Sequence, residues 1–233
     1  MILIVLDCIK FKLFVMLLCH MRSSFSLSLL YHAYVYLEFL ILACTIYILA
    51  PDKPNEKWLT DVSEFKYYRG NEVHKVYLSA ILDLYDRRIV TFKISDHNDN
   101  PLVMDTFDEA VNLEPDAHPL FHSDRGFQYT STQFYTRLKK HHMKQSMSRV
   151  SHCIDNGPME GFWGILKREM YYCQHFSDRD TLVAAITNYI NYYNNLRLQR
   201  KLNIMTPMEY HNHYIKVASS DCMPGMQPST KLF

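Results

Sequence analysis

From residue 51 onward the hydrophobic positions change period in an order that predicts a mixed α/β fold. KWLTDVSEF (Lys57–Phe65) is rich in β-formers, and KVYLSAILDLY (Lys75–Tyr85) is a nearly continuous apolar run, as in a buried central strand. A short DRR turn (Asp86–Arg88) leads into IVTFKIS (Ile89–Ser95), and connections this short make the three strands an antiparallel meander. Asn100 then caps PLVMDTFDEAVN, where Pro101 suits a first helical turn and Leu102, Val103, Phe107, Ala110 and Val111 share a face. PLFHSD (Pro119–Asp124) predicts a short strand, Ser131 caps a helix over Thr132–His142, and QSMS (Gln145–Ser148) predicts a last brief strand. A third helix opens at Asn156 and runs to about Tyr172, burying Met159, Phe162, Trp163, Leu166 and Met170. A fourth, from about Asp180 to Asn195, turns Leu182, Ala185, Ile186, Tyr189, Ile190 and Tyr193 inward. The last fifteen residues, rich in Ser, Pro, Gly and Met, read as a frayed tail.

The first fifty residues have another texture. They hold five charged side chains (Asp7, Lys10, Lys12, Arg22 and Glu38), no glycine and no proline. Phe39–Ala50 with its upstream residues has the length and apolarity of a membrane helix, and makes a poor secretory signal. Two readings compete here: a membrane anchor, or a stretch that is not a designed part of the protein.

Composition narrows the chemistry. The chain has 233 residues, 48% hydrophobic and 21% charged, enough for one domain with a real core. Six cysteines occur far apart and never as CxxC, which fits a reduced compartment. No GxGxxG or GxxxxGK is present, so neither familiar nucleotide-cradling loop exists. His122-Ser123-Asp124 has the letters of a hydrolase triad, but consecutive strand residues point to alternate faces. His141-His142 and His211-x-His213 lack partners at zinc spacing. The net charge of +1 argues against nucleic acid only until it is divided. Residues 51–119 carry 8 Lys and Arg against 14 Asp and Glu, while residues 120–216 carry 13 against 7. An acidic half precedes a basic one.

Three carboxylates then stand out. Asp61 lies within a strand among Trp58, Leu59, Val62 and Phe65, where a lone acid costs several kcal/mol unless it is paired or binds a cation. Asp124 ends the PLFH strand, although SDRG also suits a plain turn. Glu160 sits beside the buried face of the third helix, where a first-turn acid also suits the helix dipole. A first and a fourth strand can lie side by side in such a sheet, with a later helix crossing them. Clustered oxygen ligands suit magnesium or manganese, and two such ions about 4 Å apart serve phosphodiester chemistry. Lys167, seven residues after Glu160, shares its helix stripe and is placed to hold a phosphate backbone. Arg168, Arg149 and Lys144 would extend a basic rim.

An ordered series of blocks completes the reading: PNEKWLTDVSEF, YLSAILDLYDRRIV, FHSDRGFQYTS, QSMSR, CIDNGPMEGFWGILKREMYY and YINYYNNLRLQRKLNIMTPMEY. Together, from about Pro51 to Tyr214, they resemble the second-ORF transposase of the third insertion-sequence family, which carries a retroviral-integrase type of catalytic core. The resemblance implies an RNase H-like fold, a mixed five-stranded sheet flanked by helices with a C-terminal helical extension. It implies a D,D(35)E triad, matched by Asp61, Asp124 and Glu160 with 35 residues between the last two. These acids would bind Mg2+ or Mn2+, two ions, for strand cleavage and strand transfer at the ends of a mobile element. Lys167 matches the family's basic position after the glutamate and would contact DNA. Tyr193, Asn194 and Arg197 match its YN..R block, and Thr206-Pro207 its TP block, as structural or end-binding residues. Ser151 and His152 depart from it, standing where relatives commonly show glycine and a basic residue.

The resemblance divides the chain into a hydrophobic leader (1–50), an integrase-like core (51–176), a helical extension (177–216) and a flexible tail (217–233). Family members carry a polar, basic helical region ahead of the core, which residues 1–50 do not resemble. That favours a foreign reading frame fused upstream over a membrane anchor. The implied partners are insertion-sequence terminal repeats and target DNA, with a homo-oligomer assembled on DNA at the bacterial nucleoid. A catalytically idle fragment that only binds DNA or co-assembles with an intact transposase is the alternative.

Overall fold

A computed structural model describes residues 51–148 and 156–221. The leader, Arg149, Ser151, His152 and the end of the tail lie outside the described residues. The architecture is a five-stranded mixed sheet of order β3-β2-β1-β4-β5 with helices on both faces. The strands are β1 (Lys57–Arg69), β2 (Glu72–Asp83), β3 (Ile89–Ser95), β4 (Leu120–Ser123) and β5 (Lys144–Met147). β1–β2 and β2–β3 are antiparallel, as the short turns require, whereas β4 and β5 run parallel to β1.

The β1–β2 hairpin is longer than the apolar pattern indicates. Lys66–Arg69 and Glu72–His74 continue the pairing to Arg69↔Glu72, and the stacked rings of Tyr67 and His74 lie 5.1 Å apart. Gly70 turns the chain at φ +60°, a left-handed conformation that glycine adopts without strain.

Strand alternation sorts β1 between two apolar layers. Trp58 joins Phe107, Phe121, Phe134 and Leu138 beneath α1 (Asn100–Leu113) and α2 (Thr132–Lys140). Leu59, Phe65 and Tyr67 face the opposite layer with Met159, Phe162, Trp163 and Leu166 of α3 (Gly157–Leu166) and Leu182, Ile186 and Ile190 of α4 (Arg179–Asn195). Asp61 and, by the same parity, Asp124 belong to the α3 side.

Helix ends refine the sequence reading. Asp99, one residue before Asn100, caps α1 by accepting the Leu102 N–H, while Ser131 caps α2 as expected. The third helix does not stay α to Tyr172. Lys167–Tyr171 widens into a π turn, a common device for re-aiming side chains. Tyr171 thereby reaches β1, where its hydroxyl accepts the Lys66 N–H at 2.9 Å and donates to the Lys66 carbonyl at 3.0 Å.

A fifth helix, α5 (Pro207–Asp221), occupies residues that the sequence reading assigned in part to a flexible tail. Thr206 and Glu209 form a capping box: Thr206 Oγ1 accepts the Glu209 N–H at 3.1 Å, and Glu209 Oε2 accepts the Thr206 N–H at 2.8 Å. α5 is pinned to the β2–β3 turn by His211, whose Nδ1 lies 2.7 Å from Oδ2 of the fully buried Asp86. Asn194 ties α4 to β3 through both backbone groups of Ile89, each at 2.9 Å. Among the described residues no helix is long and apolar enough to cross a membrane.

Candidate active site

The register of the parallel pair places two of the acids. Trp58 stands opposite Phe121 and Leu59 opposite His122, so Asp61 and Asp124 each follow the last pair by two residues, and the charge of Asp124 acts on Asp61. Asp61 points to the face crossed by α3, which carries Glu160 in its first turn.

Asp61 is held from two sides. Its Oδ1 accepts the N–H of Val62 at 2.8 Å, and its Oδ2 accepts the indole N–H of Trp163 at 3.0 Å. Burial nevertheless pushes its carboxyl up to about 6, against the lowering by these two donors. The negative charges of Asp124 and Glu160 raise it further. The three acids thus share one electrostatic neighbourhood.

Asp124 leaves β4 into an Asx-type turn in which its Oδ1 accepts the Gly126 N–H at 2.8 Å. A Cβ at Gly126 would stand 3.0 Å from that same oxygen and 3.0 Å from Gln128 Oε1, so both side chains would have to give way slightly. Beneath the acids lies the fully buried Tyr129, whose hydroxyl is 3.3 Å from Thr60 Oγ1. Burial drives its phenol far up, and the charges of Asp61 and Asp124 add to this, so it stays neutral. Glu160 is exposed on its helix. Among the described residues no three His, Cys, Asp or Glu side chains stand close enough to form a metal cage by themselves. The set still suits a hard cation: all three groups are oxygen donors, and the charges of Asp124 and Glu160 both act on Asp61.

Lys167 joins this neighbourhood. Its ammonium sits 5.2 Å from the centre of the Phe65 ring. Burial lowers its pKa, opposed by the charges of Asp61 and Glu64. Other basic residues are placed differently. Arg168 is exposed on the π turn. Lys144 starts β5 opposite Leu120, four residues upstream of Asp124 and so about 13 Å away along the strand. Arg197 meets Glu169: Nη2–Oε1 is 2.6 Å and Nε–Oε2 is 2.9 Å, and the Tyr189 hydroxyl donates to the same carboxylate at 2.9 Å. Arg197 thus ties the end of α4 to the π turn.

His122 and Ser123 form no relay with Asp124. His122 Nδ1 lies 3.1 Å from Ser146 Oγ and its Nε2 lies 3.3 Å from Ser148 Oγ, while Ser123 Oγ donates to the Asp124 carbonyl at 2.9 Å. Sequence reasoning missed Trp163 and Gly126. Trp163 was assigned only to the core face, and only the DxG spacing hinted at Gly126.

The sheet order and the flanking helices are those of an RNase H-like fold of the integrase type. The integrase core domain family matches residues 51–153, and a second integrase core domain family matches residues 160–215. The chain is 42% identical over 161 residues to a protein of Escherichia coli K12 assigned as transposase InsK of insertion sequence element IS150, covering 69% of this chain and 56% of InsK. It is 38% identical over 158 residues to a transposase-like protein of Haemophilus influenzae, covering 68% of this chain and 71% of that protein. Transposase InsF of insertion sequence IS3A from E. coli K12 is 31% identical over 161 residues, with 68% and 54% covered. The chain therefore belongs to the insertion-sequence transposases with an integrase core, the second-ORF transposases of the third insertion-sequence family. It spans little more than half the length of InsK and InsF.

Solved structures agree on the fold. A chain of the simian T-cell lymphotropic virus intasome, in complex with PP2A regulatory subunit B56 gamma, superimposes with a TM-score of 0.61 at 19% identity, covering 79% of this chain and 62% of that one. The HTLV-2 integrase catalytic core domain in complex with magnesium gives 0.54 at 20% identity, covering 69% and 98%.

Proposed function

We propose that this chain is a DDE-type polynucleotidyl transferase that cuts and joins DNA strands at insertion-sequence ends. The observation that supports this most is the acidic neighbourhood of Asp61: a half-buried strand carboxylate, hydrogen-bonded to Trp163 of the helix that carries Glu160 and facing the charges of Asp124 and Glu160. Asp61, Asp124 and Glu160 would hold Mg2+ or Mn2+, and the magnesium bound by a core of the same fold accords with this assignment. Two such ions, when bound, supply charge stabilisation for both the attacking and the departing oxygen of an in-line displacement.

The protein's own groups do the rest. Val62 orients the Asp61 carboxylate, and Gly126 orients that of Asp124. Lys167, held against Phe65 beside Asp61, binds the phosphate backbone and sets the register of the scissile bond. Arg168, Lys144 and Arg149 extend the DNA track, whereas Arg197 acts through its tie to Glu169. Terminal-repeat and target DNA are the substrates, and copies of the chain assemble on them in the bacterial cytoplasm at the nucleoid.

Incubation of the full chain with labelled terminal-repeat duplex and Mg2+ tests this reading. Strand cleavage and joined products are expected, with a loss of at least about 100-fold in Asp124→Asn. Cleavage undiminished in that variant, or salt-sensitive DNA binding with no Mg2+-dependent cleavage, would contradict it.

A further inference from the structure

Trp163 is 7% exposed, lies three residues after Glu160, and spans from α3 to the first acid with a 3.0 Å hydrogen bond to Asp61 Oδ2. We infer that Trp163 is a positioning residue that aims the Asp61 carboxylate and couples it to the helix carrying Glu160. This rests on the metal-dependent reading above.

The chemistry of the pair supports the role. An indole N–H only donates, so Trp163 cannot itself be a ligand. A carboxylate offers about four lone-pair sites over its two oxygens. With Val62 N–H on Oδ1 at 2.8 Å and Trp163 on Oδ2 at 3.0 Å, the group is fixed in rotation while each oxygen keeps a lone pair for a cation.

The indole is itself well braced. Its ring lies 5.0 Å from that of Phe162, which in turn meets Tyr193 of α4 edge-on at 4.9 Å. A side chain that served only as core would need no polar atom here, and phenylalanine would fill most of the same volume. The N–H is the part that packing does not explain.

Hydrogen-bonding partners that orient a metal ligand are commonly worth about 10- to 100-fold in metal affinity. The sequence contains two tryptophans, so the 15N-labelled full chain gives two indole resonances, assigned with Trp163→Phe. The Trp58 indole donates to Asn55 Oδ1 at 3.2 Å and serves as the internal reference. Mg2+ is expected to shift the Trp163 resonance, to leave that of Trp58 in place, and to shift neither in Asp61→Asn. Mn2+ titration, read from the paramagnetic resonance of the free ion, is expected to show affinity at least about tenfold weaker in Trp163→Phe. A Trp163 resonance that ignores Mg2+ while Mn2+ binds in an Asp61-dependent way would overturn the inference and leave the proposed function standing. Unchanged Mn2+ affinity in a folded Trp163→Phe would do the same. A chain that binds no Mn2+ at all would overturn both.

Discussion

Gly126 donates its backbone N–H to Asp124 Oδ1 at 2.8 Å, and a Cβ added to it would stand 3.0 Å from that same oxygen. The residue that holds the carboxylate in place is therefore also one whose enlargement presses on it. Gly126→Ala is expected to cut strand cleavage by about 10- to 100-fold, the scale of a sub-ångström misplacement at a reacting centre. Melting should change by only a few degrees, because the nearest atoms are side-chain termini that can swing away. Single-turnover cleavage beside a thermal melt checks this.

Asp61 sets a pH window. In an unfolded chain its carboxyl titrates near 3.8, whereas in the fold burial raises it to about 6. The folded state thus holds the proton more tightly between those values, and the metal-free chain loses stability as pH climbs through them. A divalent cation needs the ionised form. Mg2+ should therefore raise the melting temperature at about pH 7.5 and lose most of that effect at about pH 5. An equal effect at both pH values, or one retained by Asp61→Asn, would contradict the assignment.

Arg197 and Lys167 are both basic, yet the fold gives them different work. Arg197 closes a two-pronged pair on Glu169, holding that carboxyl below the usual range, while Lys167 lies beside Asp61. Arg197→Lys loses the parallel geometry and should cost about 0.5–1 kcal/mol in urea unfolding. It should leave the salt dependence of DNA binding unchanged. Lys167→Ala should instead lower the slope of log K against log salt by about 1. Filter binding across a salt series separates the two.

His211 carries the attachment of α5. Its Nδ1 is 2.7 Å from Oδ2 of Asp86, a carboxylate with no exposed surface that is also ion-paired with Arg88 at 3.3 Å. His211→Ala is expected to destabilise the fold by about 2 kcal/mol in urea unfolding, because a buried acid loses one of its two partners.

The first three strands, the helices and the conspicuous Asp61 were legible in the sequence because each follows from a short-range pattern, whereas the sheet as a whole followed only from the family resemblance. Asp61 is conspicuous as a charge in an apolar strand. Other features were hidden for identifiable reasons. The outer half of the β1–β2 hairpin is polar, so its pairing leaves no apolar trace until Tyr67 and His74 are seen to stack. The π turn at Lys167–Tyr171 comes with a contact to Lys66, more than a hundred residues away in sequence. The start of α5 is carried by the capping pattern Thr206-Pro207-Met208-Glu209. The Trp163–Asp61 bond has no sequence signature, since an indole that packs and one that donates look alike.

Asp61, Asp124 and Glu160 are proposed to form one divalent-cation site. A crystal of the full chain grown with Mn2+ and measured at the manganese absorption edge examines this site itself. An anomalous peak is expected between Asp61 and Asp124, with Glu160 turned toward it, and its loss in Asp124→Asn. No peak at saturating Mn2+, or a peak only on other side chains, would contradict it.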